Sequence, residues 1–148
     1  MPTRHKPNVL LIMTDQQRWD TLSYGGNEAI QTPNLDYLAS EGTFFTNAYS
    51  CTPSCIPARA SLLTGMNPWK TGILGMGRGQ GRMGTGFQHT LPGELAKAGY
   101  HTQGVGKMHF SPQRALNGFH NTVLDESGRE EDPNFVSDYR RWFEEHKT

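Results

Sequence analysis

Val9-Leu10-Leu11-Ile12-Met13 is an unbroken apolar run that ends in Thr14-Asp15-Gln16-Gln17. Such a run has no polar face to turn toward water, so it reads as a strand covered on both sides, as in a parallel sheet flanked by helices. Its polar ending then falls at a strand's carboxyl end. The elements that follow agree with a layered arrangement. Thr32 as N-cap and Pro33 as first helical residue open a helix with Leu35, Leu38 and Ala39 on one face and Gly42 as its stop. Phe44-Phe45-Thr46-Asn47-Ala48-Tyr49 reads as a second strand, and it enters a turn-rich segment containing Pro53 and Pro57. A helix over Ala58–Leu63 closes at Gly65, another over Leu91–Ala98 closes at Gly99, and His101–Val105 forms a third strand ending at Gly106-Lys107-Met108-His109. Alternating strands and helices predict an α/β fold, in which ligands collect outside the carboxyl ends of the strands. Asp15, Lys107 and His109 all fall at such ends. Near the C-terminus Phe135, Tyr139, Trp142 and Phe143 recur at helical spacing, an apolar face that needs a partner.

The chain has 148 residues, within the range of one domain, but it is only 34% apolar and carries 17 Gly and 9 Pro, a loop-rich composition for independent folding. Lys plus Arg and Asp plus Glu both number 14, so no net field draws the chain onto nucleic acid or an anionic membrane. No apolar run approaches the roughly 18 residues a membrane span needs, and Met1-Pro2-Thr3-Arg4-His5-Lys6 lacks the apolar stretch of a secretory signal. The expected location is cytoplasmic. Cys51 and Cys55 are too few for a disulfide framework and lack the further ligands a metal site of their own would need.

Pro57 follows Cys55 by two positions, which predicts that Cys55 sits just before a helix whose amides and dipole favour negative charge. Arg59 adds a fixed cation nearby, a suitable setting for a nucleophile. Spacing alone leaves two readings open, a reactive cysteine and a small buried one in a turn.

Cys55-Ile56-Pro57-Ala58-Arg59-Ala60-Ser61-Leu62-Leu63-Thr64-Gly65 resembles the sulfatase signature, Cys-x-Pro-x-Arg followed by a short spacer and Thr-Gly. Other blocks are similar to the same family in the same order: Pro7–Ile12 leading into Asp15, Thr32–Asp36, Glu41–Tyr49, and Ala98-Gly99-Tyr100 leading into Gly106–His109. The resemblance covers roughly residues 7–120. It implies part of an alkaline-phosphatase-like sandwich, mostly parallel sheet flanked by helices, with residues 1–148 as an incomplete N-terminal segment of the catalytic domain. It also implies that a formylglycine-generating enzyme oxidises Cys55 to an aldehyde, which hydrates to a geminal diol. One hydroxyl, assisted by a divalent cation, attacks the sulfur of a sulfate ester and releases the alcohol; the other loses its proton, expels sulfate and restores the aldehyde. In this scheme Arg59 holds the diol, while Lys107 and His109 bind sulfate and help protonate the departing oxygen. Asp15 matches a family metal ligand, Cys55 contributes to the same ion once modified, and the cation is Ca²⁺, with Mg²⁺ or Mn²⁺ as alternatives.

Several residues depart from the family pattern. Gln16 stands where many members have a second Asp, and it ligates through its amide oxygen or not at all. Ala58 replaces a frequent Ser, which bears on which maturation machinery reads the motif. Met108 replaces a frequent Trp, a change of packing. The remaining metal ligands of the family lie far downstream and have no matching block here, so little activity is expected of residues 1–148 alone. The substrate class is a small-molecule or carbohydrate sulfate ester, and the partners are the maturation enzyme and either further chain or another copy. Phosphonate monoester and phosphodiester hydrolases of the same superfamily share the nucleophile motif and an Asp-Gln pair, which keeps them as an alternative. An inactive truncated fragment serving as an interaction module is another. Gly79-Gln80-Gly81-Arg82-Met83-Gly84 fits a dinucleotide pattern, but it follows no apolar strand and opens no helix, so a mobile loop is the better reading, with Arg78 and Arg82 as candidate anion contacts. Cys51 has no Arg four residues on and reads as a small packed residue.

Overall fold

A computed structural model describes residues 6–76, 82–126 and 132–147, and the chain divides into two compact units, residues 1–48 and 49–148. Arg78 and Gly79–Gly81, from the glycine-rich segment, lie outside the described residues, as do Met1–His5.

In the first unit, helix α1 spans Pro33–Glu41 between Thr32 and Gly42, as the capping residues predict. Pro33 supplies a helical φ and lacks the N–H that the first turn could not satisfy. The Thr32 hydroxyl donates to the Asp36 carboxylate at 2.8 Å, and the Ser23 hydroxyl and Tyr24 amide donate to the same group at 2.5 and 3.0 Å. The Ser23 hydroxyl holds the Asp36 carboxyl below the ordinary carboxylate value. This network fastens the preceding loop to α1, and Tyr24 packs edge-on against Phe44 with ring centres 5.2 Å apart. The expected first strand is not found: Val9–Met13 pairs with no strand among the described residues, and Ile12 is 73% exposed. Its pattern requires covering neighbours, and without a ladder partner the backbone has nothing to align on. The face of α1 formed by Leu35 and Leu38 is likewise exposed. Phe44–Tyr49 is also not a strand, because a turn at Thr46-Asn47 interrupts it.

The second unit has a core of Ala60, Leu63, Ile73, Met83, Phe110 and Ala115. Helix α2 spans Cys55–Thr64, beginning earlier than the expected Ala58, so Cys55 is its first residue and Pro57 its third. Pro57 remains acceptable there because first-turn amides have no partner within the helix. Gly65 closes α2 in the left-handed region at φ 68°, its amide donating to the Ser61 carbonyl at 2.8 Å. A short helix α3, Pro68–Thr71, follows, capped by the Asn67 side chain. Helix α4 spans Leu91–Lys97, and its cap Thr90 accepts from the Gly93 amide at 3.2 Å. Strand β1, Gln103–Gly106, pairs in parallel with β2, Asn121–Leu124, in the register Gln103 to Asn121 through Gly106 to Leu124. Helix α5, Asp138–His146, starts after its cap Ser137, so Phe135 falls outside it, while Tyr139, Trp142 and Phe143 are about half exposed. The α/β class stands, with its described sheet reduced to one parallel pair. Met83 is fully buried and bridges to Phe110, so the end of the segment read as a mobile loop is anchored in the core. No helix among the described residues is long and apolar enough to cross a membrane.

Candidate active site

Cys55, half-buried, is the first residue of α2, where a side chain meets the positive end of the helix dipole. Arg59 lies one turn further along the same face. Its Nη1 donates to the main-chain carbonyl of Lys107 at 2.5 Å, joining the signature helix to the segment that leaves β1. Ile56 and Met108, neighbours of Cys55 and Lys107 in the chain, pack against the same core. Met108 also nearly touches Gly104, where an added Cβ would stand 2.8 Å from the Met108 Cε. The packing role expected for Met108 is therefore observed.

Gly106-Lys107-Met108-His109 forms a bend with left-handed backbone at both ends, Gly106 at φ 101° and His109 at φ 58°. Glycine adopts this region readily, whereas histidine needs outside support to stay there. That support comes from Glu126, which is 1% exposed. The Met108 amide donates to Glu126 Oε1 at 3.1 Å, and the His109 amide donates to Oε1 and Oε2 at 3.2 and 3.1 Å. Parallel pairing explains how the groups meet. It puts the carboxyl ends of β1 and β2 at one edge, and the Asp125 amide extends the ladder to the Gly106 carbonyl at 3.3 Å. Sequence reasoning missed Glu126 because it missed β2; the trace it left is an apolar Val123-Leu124 pair running into Asp125-Glu126.

Thus Cys55, Arg59, Lys107 and His109 all belong to the second unit, linked through α2 and the end of β1. Asp15 and Gln16 belong to the first unit, in an exposed bend where Gln16 takes φ 51°. Their carboxylate and amide oxygens have the hard character that Ca²⁺ or Mg²⁺ prefers. Two such donors fall short of a complete shell, and no group of three or more His, Cys, Asp or Glu gathers among the described residues. The described residues therefore do not by themselves make a metal centre. Cys51 is exposed, contrary to the expectation of a packed residue, and Arg82 is exposed as well.

Residues 7–142 match the sulfatase family model. An arylsulfatase of Clostridium perfringens is 45% identical over 152 residues, which cover 96% of this chain and 31% of that protein. An ulvan-active sulfatase of Formosa agariphila is 43% identical over 74% of this chain and 20% of its own length. The human N-acetylgalactosamine-6-sulfatase is 38% identical over 70% of this chain and 22% of its own. The chain thus spans under a third of the length of these relatives. Since the family match runs through the signature helix, both parallel strands and most of α5, the chain belongs to the sulfatase family.

Proposed function

We propose that this chain is the nucleophile-bearing N-terminal segment of an enzyme that hydrolyses sulfate esters, with Cys55 matured to formylglycine. The observation that carries this reading is the Arg59 bond to the Lys107 carbonyl, which ties the two motif segments together within one unit. Position 55 supplies the nucleophile at the start of α2. The Arg59 guanidinium offsets charge developing there, and Lys107 and His109 bind the sulfate and protonate the leaving oxygen. A divalent cation, Ca²⁺ in the first instance, belongs to the proposal, with Asp15 and Gln16 as two of its oxygen ligands. The arylsulfatase relative supports an aryl sulfate as the substrate with which to begin.

The pairing of Asp15 with Gln16 favours a second reading, hydrolysis of phosphonate monoesters or phosphodiesters. Matched aryl sulfate and aryl phosphonate esters separate the two when supplied to full-length protein co-expressed with a formylglycine-generating enzyme. The expected result is sulfate release that Cys55→Ala abolishes, together with an aldehyde at position 55 by mass spectrometry. An aldehyde with turnover of the phosphonate ester alone would overturn it.

A further inference from the structure

Glu126 is a buried carboxylate that the proposed reaction does not use. Burying such a group without satisfying it is costly, and retaining one in a small core calls for a physical reason. Among the described residues it accepts three hydrogen bonds, all from the amides of Met108 and His109. These amides belong to the bend that presents Lys107 and His109, and one of them is on the residue held at φ 58°. The same segment is also held by Arg59 through the Lys107 carbonyl. The bend is thus fixed both by a guanidinium that takes hold of its carbonyl and by a carboxylate that takes hold of its amides.

We infer that Glu126 is a positioning residue for the reaction, acting through Lys107 and His109 by fixing the backbone from which both side chains project. This rests on the sulfate-ester reading above, because it assumes that Lys107 and His109 serve the bound ester. Glu126→Gln keeps the size of the side chain but places an NH₂ where one carboxylate oxygen faces an amide donor. Glu126→Asp keeps two acceptor oxygens on a shorter arm.

The test compares matured full-length wild type, E126Q and E126D by hydrogen exchange at the Met108 and His109 amides, thermal unfolding and aryl sulfate kinetics. E126Q is expected to exchange faster at those two amides while the Ala60–Leu63 amides keep their protection. Its kcat should fall about 100-fold with KM changed less than about threefold, as expected when a reacting group is displaced by about an ångström. E126D should recover part of kcat. Unchanged exchange at Met108 and His109, or full kcat in E126Q, overturns the role of Glu126, as does a loss of protection shared equally by the whole core in both variants. A wild type that releases no sulfate instead overturns the functional reading, while the exchange measurement still decides what Glu126 holds.

Discussion

At the scale of the residue, the site depends on groups that act through the main chain. Arg59 reaches the Lys107 carbonyl with one nitrogen of a planar fork, a geometry that a lysine ammonium on a flexible stem does not reproduce. Arg59→Lys keeps the charge and loses the fit. Its kcat/KM for an aryl sulfate is expected to fall about 100-fold, measured beside a thermal unfolding curve close to wild type. A variant with full activity would show that charge alone suffices at this position. Cys55, Arg59, Lys107 and His109 could be singled out in the sequence because short contiguous blocks around them resemble family motifs. Glu126 could not. Its role depends on a contact between segments 17 and 18 residues apart, made only when two strands align in parallel. Its immediate neighbours, Val123-Leu124 running into Asp125, hint at a short strand but do not separate Glu126 from a solvated acid.

At the scale of the element, helices were more legible than strands. Thr32-Pro33 with Gly42 mark α1 locally even though the Thr32 side chain makes no cap bond, and the helix read at Leu91 is found with Thr90 capping the Gly93 amide, because helix ends are set by groups within a few residues. A strand has no such self-sufficiency. Val9–Met13 has the composition of a buried strand without a described partner, whereas Asn121–Leu124 has a modest pattern and pairs nonetheless. The start of α5 was obscured by aromatic spacing that reached back to Phe135, although Ser137 accepts from the Arg140 amide at 3.1 Å as an ordinary cap does. The turn before β2 illustrates how tightly these elements are fitted. Thr90 caps α4 while its hydroxyl donates to the Asn117 carbonyl at 2.7 Å, and Gly118, at φ 96°, lies so near that an added Cβ would stand 2.5 Å from the Gly93 amide nitrogen. Gly118→Ala combines this clash with an unfavourable backbone region, so it should destabilise the protein by about 3 kcal/mol in denaturant unfolding. A loss below about 0.5 kcal/mol would mean that the turn yields easily.

At the scale of the whole molecule, the second unit is closed by Asp138, whose Oδ2 accepts from Arg114 Nη1 at 2.6 Å and from the Leu124 amide at 2.7 Å. One carboxylate therefore joins the start of α5, the end of β2 and the loop between the strands. The Arg114 hydrogen bond holds the Asp138 carboxyl below its ordinary value. A lowered folded value means stability that is present in full above the ordinary value and is lost as pH falls through the lowered one. Asp138→Asn is expected to unfold at lower urea than wild type near neutral pH, with the two midpoints converging as pH falls through the lowered Asp138 value. Parallel midpoints across that range would remove Asp138 from the acid response. Arg59 grips a carbonyl that every residue possesses, so the identity of the side chain at 107 is not a condition of the contact. The frame and the recognition surface can then change separately over evolutionary time. A descendant that alters the side chain at 107 therefore keeps the bond between the signature helix and the end of β1.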